Sequence, residues 1–101
     1  METAVALDAE AIRRACERHG VKRLRVFGSV LTDHFDPDTS DIDFLVAFQP
    51  KRENLFHDYF DLKFELERIV GREVDLVVER SVKNPFFKAS VFGKAQDLYA
   101  A

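Results

Sequence analysis

Asp41 and Asp43 stand two residues apart at the head of a short apolar run, Phe44-Leu45-Val46-Ala47-Phe48, and eleven residues separate Asp41 from an upstream Gly28-Ser29. Side chains in a strand alternate with period two. Both carboxylates therefore project to one face, roughly 6 to 7 Å apart at their backbones, while Ile42, Phe44, Val46 and Phe48 project to the other. One face is left to bind and the other to pack. Two like charges that close disfavour each other unless solvent or a cation relieves them. Magnesium is commonly held by one or two carboxylates plus substrate phosphates, so a carboxylate pair at the mouth of a strand suits a metal-nucleotide. Asp75 lies in a second short apolar run, Val74-Asp75-Leu76-Val77-Val78. If that strand neighbours the first with Asp75 on the same face, three carboxylates converge, enough for a two-metal arrangement.

Gly-Ser and Asp-x-Asp are each weak signals alone. The weight rests on their order along the chain: strand, Gly-Ser turn, Pro-containing loop, Ser-Asp-x-Asp, apolar strand, helix and a second Asp-bearing strand. Asp8 can cap a helix over residues 9–19, with Ile12, Ala15, Cys16 and His19 at helical spacing and Gly20 as its stop. Residues 22–27 read as a first strand, Leu24 and Val26 inward and Lys22, Arg23 and Arg25 on a wet edge, ended by Gly28. Residues 30–35 read as a short helix whose N-terminus, at Ser29, would attract an anionic phosphate. Residues 54–70 form the longest helix. There Leu55, Tyr59, Leu62, Leu66 and Ile69 make one core stripe, with Phe56, Phe60 and Phe64 in a second row beside it. Asn84-Pro85 starts a further helix carrying Phe86, Phe87 and Phe92, and residues 96–99 add a last edge strand.

With 101 residues and 47% hydrophobic content, the chain is expected to form one domain over 1–101, α+β, with no room for a second acceptor-binding domain. A net charge of -3 argues against a broad nucleic-acid surface. Lys51, Arg52, Lys63, Arg68 and Arg72 read as a solvated helix face rather than a basic patch. Cys16, the single cysteine, reads as a buried apolar group, and with no long apolar run or signal peptide the expected location is cytoplasmic and away from membranes. Ten Phe in so small a chain implies that some lie near the surface; the first reading is a well-filled core, and the alternative is a partner or self-association interface.

Val26-Phe27-Gly28-Ser29, Asp36-Pro37, Ser40-Asp41-Ile42-Asp43-Phe44-Leu45-Val46 and Val74-Asp75-Leu76-Val77 together resemble the signature of the minimal nucleotidyltransferases of the DNA polymerase beta-like superfamily. Thr32 and Asp33 depart from it, standing where many relatives carry Arg or Gly. The resemblance implies a small mixed β-sheet with flanking helices. It implies Gly28, Ser29 and Ser40 beside the nucleotide, Asp41 and Asp43 as metal ligands, and Asp75 as the third acid and metal ligand. It also implies a Mg2+-dependent enzyme, using two ions, that transfers AMP from ATP to a hydroxyl. Family members are often antitoxins paired with a HEPN-domain ribonuclease toxin, which some inactivate by transferring AMP from ATP onto a toxin tyrosine. Two alternatives stay open on the sequence: an antitoxin that masks its toxin by contact alone, and a small-molecule nucleotidyltransferase subunit.

Overall fold

The computed structural model describes residues 7–28, 41–50 and 53–101. Helix α1 (Ala9–Arg18) leads into strand β1 (Val21–Phe27), followed by β2 (Ile42–Phe48), α2 (Leu55–Val70), β3 (Val74–Val78), a 3-10 turn (Glu79–Ser81), α3 (Pro85–Lys94) and β4 (Gln96–Ala100). The four strands form one mixed sheet in the order β3-β2-β1-β4. The chain is thus α+β, as expected. β1 runs antiparallel to both β2 and β4, and β2 runs parallel to β3. A parallel neighbour needs a crossover, and α2 supplies it.

Local chemistry sets the helix ends. Asp8 accepts the Ala11 N–H at 3.1 Å at the start of α1, and Asn54 accepts the His57 N–H at 3.1 Å at the start of α2. Gly71 closes α2 in the left-handed region, φ 73°, with its N–H on the Glu67 carbonyl at 2.9 Å. Asn84 caps α3 through the Phe86 and Phe87 N–H groups.

Helices α1 and α2 cover one sheet face. Ile12, Ala15 and Cys16 from α1 and Leu62 and Leu66 from α2 close over Leu24, Val26, Ile42, Phe44, Val46, Val74 and Leu76. The expected stripe on α2 is therefore core along Leu62 and Leu66, with Tyr59 and Ile69 at its margin. Burial pushes the Cys16 thiol up to about 12, so it serves as packing and stays protonated at neutral pH. Across the top of the helices Glu65 joins α2 to α1, accepting from Arg18 and sitting 2.7 Å from His19 Nε2.

The other face differs from the sequence reading in two respects. It is not left wholly to binding: Leu45 is fully buried there with Phe27 and Val82, against Val77, Phe92 and Ala95. Nor is β1 an edge. Because residues after α3 return as β4, β1 lies inside the sheet, and Arg25 is only 5% exposed. Its guanidinium lies 4.8 Å from the Phe92 ring centroid, with Nη2 2.9 Å from Glu79 Oε2. Arg23 stays half-buried and pairs with Asp97 of β4 at 2.8 Å.

A buried cation loses hydration, and its partner offsets that loss. Removing Glu79 alone (Glu79→Ala) should lower stability by about 2 kcal/mol, whereas Arg25→Met with Glu79→Leu should be within about 1 kcal/mol of the parent. Urea denaturation of the three proteins checks this, and equal losses in both variants would contradict it.

Candidate active site

Strand register places the acidic residues. Asp43 is the direct partner of Asp75 across the parallel β2–β3 pair, and Phe27 is the partner of Asp43 across β1–β2. Partners in adjacent strands share a face, so Phe27, Asp43 and Asp75 form one row, with Arg25, Leu45 and Val77 nearby on the same face. Neighbouring strands lie about 5 Å apart, so the two carboxylates leave the sheet side by side. Asp41, exposed, immediately precedes β2.

Two devices hold Asp75 in this register. Gly71 reverses the chain after α2, and the Glu67 carboxylate accepts the Val74 N–H at 3.1 Å. That hydrogen bond, the largest cause, keeps Glu67 below its usual range, and Lys63 assists from 3.1 Å.

Gly28 approaches from the end of β1. Its φ is 81°, a conformation costly for any residue with a Cβ. A Cβ there would run into Asp43 Oδ2 and stand 3.1 Å from Asp43 Cγ. Glycine is thus required twice, by the backbone and by the carboxylate lying against it.

The electrostatics follow from this crowding. Burial, then Asp75, then Asp41, push the Asp43 carboxyl from an ordinary 3.8 up to about 6. Among the described residues no Lys, Arg or His lies within ion-pair distance of Asp41, Asp43 or Asp75. Nor does any group of three or more His, Cys, Asp or Glu among them form a ready metal cluster. The register brings Asp43 and Asp75 together, and Asp41 acts on Asp43 through its charge. Such a donor set fits magnesium, a hard ion that takes one or two carboxylates and completes its shell with water and phosphate oxygens.

Ser29, Ser40, Thr32, Asp33 and the helix expected over 30–35 lie outside the described residues, as do Lys51 and Arg52. Lys63 pairs with Glu67, and Arg68 lies 3.6 Å from Glu65, so the helix cations are matched by acids. Sequence reasoning placed Arg25 on a wet edge, whereas it is buried and tethers α3 and the 3-10 turn to the acidic face. The signal available was an arginine alternating with Leu24 and Val26, followed much later by a Phe-rich helix.

A carboxyl whose folded-state pKa is raised binds more protons folded than unfolded between about pH 4 and 6, so stability falls as pH rises through that window. Asp43→Asn should therefore stabilise the metal-free protein by about 1–2 kcal/mol at pH 8, after discounting for partial exposure, and give no gain near pH 3.5. Millimolar Mg2+ should raise the melting temperature of the parent more than that of the variant. Thermal unfolding across pH, with and without Mg2+, checks both; a variant less stable than the parent at pH 8 would contradict the repulsion.

Comparison with known proteins agrees with this fold. Residues 9–98 match the nucleotidyltransferase domain family. The chain is 40% identical over 81 residues to a candidate protein adenylyltransferase of Methanocaldococcus jannaschii, covering 80% of this chain and 83% of that protein. It superposes on a solved candidate minimal nucleotidyltransferase with a TM-score of 0.68 and 41% identity, over 87% of this chain and 86% of the other. An MNT antitoxin solved in complex with a tri-AMPylated Shewanella oneidensis HEPN toxin shares the fold, with a TM-score of 0.62 at 21% identity over 92% of this chain and 70% of that one. The mixed sheet with its flanking helices is the fold of the polymerase beta-like nucleotidyltransferases, and this chain belongs to the nucleotidyltransferase domain family.

Proposed function

We propose that the protein transfers AMP from Mg2+-bound ATP to a tyrosine hydroxyl of a HEPN-type toxin, and so acts as that toxin's antitoxin in the cytoplasm. The observation that carries this reading is the in-register pair Asp43–Asp75 against the Gly28 backbone. The relatives support the rest: a 40% identical protein bears the name of a protein adenylyltransferase, and a protein of the same fold is an antitoxin bound to an AMPylated toxin. No helix among the described residues is long and apolar enough to cross a membrane.

In this reading Asp41, Asp43 and Asp75 would hold magnesium as two ions, which when bound would neutralise triphosphate charge and steady the leaving group. Gly28 keeps the backbone clear of the Asp43 carboxylate, and Ser29 and Ser40 bind the nucleotide. Asp75 accepts the proton of the incoming hydroxyl and orients its oxygen toward the α-phosphorus. The new O–P bond forms as the bond from the α-phosphorus to the β-phosphate oxygen breaks, and pyrophosphate departs. Positioning and charge compensation supply most of the acceleration. The exposed row Phe56, Phe60 and Phe64, at 68%, 36% and 59% exposure, offers the apolar surface that a protein partner or a second copy would cover.

The test uses ATP labelled at the α- or γ-phosphate, Mg2+ and the toxin encoded beside this chain. Label from the α position alone should appear on the toxin, and Asp43→Asn should lower the rate at least about a hundredfold while the complex still forms. A complex that forms without labelling, in which Asp43→Asn protects as well as the parent, would replace transfer by masking through contact.

A further inference from the structure

Helix α2 buries one side and carries phenylalanine on the other. Leu62 and Leu66 face the sheet and are fully buried. At about 100° per residue Phe60 stands opposite Leu62, and Phe56, Phe60 and Phe64 recur every four residues as one ridge along the outer crest of the helix. An ordinary surface helix presents polar residues there. The ridge is instead a row of rings in mutual contact: the Phe56 and Phe60 centroids are 4.7 Å apart, those of Phe60 and Phe64 6.1 Å, and Tyr59 meets Phe60 edge-on at 5.0 Å. Lys63 Nζ, 5.8 Å from the Phe64 centroid and paired with Glu67, still leaves that ring more than half exposed. Rings that already hold one another lose little freedom when something covers them. The ridge lies on the far side of the sheet from Asp43 and Asp75, so its occupant does not reach the acidic pair.

Charge selects that occupant. Glu53 stands three residues before Phe56 and Arg68 four residues after Phe64, both exposed, so the ridge has an acid at one end and a base at the other. Among the described residues Glu53 has no cation within ion-pair distance. Arg68 comes only within 3.6 Å of Glu65, which Arg18 and His19 already engage. A second copy laid antiparallel, with a twofold axis beside Phe60, sets ridge against ridge and brings each Glu53 to Arg68 of the other copy. A parallel pair would oppose Glu53 to Glu53 and Arg68 to Arg68. At about 150–250 Å² for a buried aromatic side chain, the exposed fractions leave about 300 Å² of ring surface per copy. A stable interface takes about 800 Å² per partner, so the polar flanks supply the remainder and the expected dimer is weak, with a Kd of about 10–100 µM.

We propose that α2 pairs antiparallel with α2 of a second copy through Phe56, Phe60 and Phe64, with Glu53–Arg68 ion pairs at both ends. The pairing needs neither nucleotide nor toxin and is independent of the transfer reaction. Sedimentation equilibrium of the whole chain alone, from about 1 µM to about 1 mM, tests it. The mass should rise from the 11.6 kDa monomer toward twice that value. Phe60→Glu, which places two carboxylates at the axis, should weaken the dimer at least about thirtyfold with the melting temperature unchanged. Glu53→Arg or Arg68→Glu alone should weaken it about fivefold, and the two together should return it to within about twofold of the parent. A chain monomeric throughout, a dimer that Phe60→Glu leaves intact, or a double reversal weaker than either single one would overturn the proposal. So would a monomeric chain whose Phe60→Glu variant no longer binds the toxin, which would assign the ridge to that partner.

Discussion

Two carboxylates in register on adjacent parallel strands, one pressed against a glycine backbone, impose the constraint around which this protein is arranged. Asp43 and Asp75 are partners across β2 and β3, and the Gly28 backbone occupies the space beside Asp43 that any side chain would fill. Burial and the like charges of Asp75 and Asp41 raise the Asp43 carboxyl to about 6. A purely structural sheet has no use for this repulsion. It is the kind of local cost that proteins retain where a ligand removes it, and in the proposed function that ligand is a divalent cation bearing phosphate oxygens.

The rest of the fold supports that arrangement. One face of the sheet is closed by α1 and α2 over a continuous apolar core, and this fixes the strands that bear the acids. On the acidic face the packing is partial. α3 and the 3-10 turn reach Leu45 and Phe27 through Val82 and Phe92 and are tied down through Arg25, so among the described residues they stop short of Asp43 and Asp75. Glu67 connects the two halves of the design, since its carboxylate anchors the first residue of β3 and thereby the register of Asp75.

Much of this was legible from residue order. Period-two alternation placed Asp43 on a face, helical spacing found Leu62 and Leu66 as core, and Asp8, Asn54 and Gly71 marked helix ends because caps act through neighbours a few residues away. What alternation could not reveal was strand order. Whether β1 is an edge depends on β4, some seventy residues later, and so the burial of Arg25 was missed: its pairing with Glu79 and Phe92 is set by tertiary packing. The parallel register of Asp43 with Asp75 was likewise conditional in sequence, because it depends on the length of α2 and the turn after it.

The central claim is that Asp43 carries a charge its surroundings resist until a cation relieves it. Following the Asp43 side-chain carboxyl carbon by 13C NMR through a pH titration measures this at the atom concerned. The account predicts a midpoint near 6 without metal, moving down by more than about one unit when Mg2+ is added. A metal-free midpoint at the ordinary aspartate value of about 3.9, unmoved by Mg2+, would contradict it.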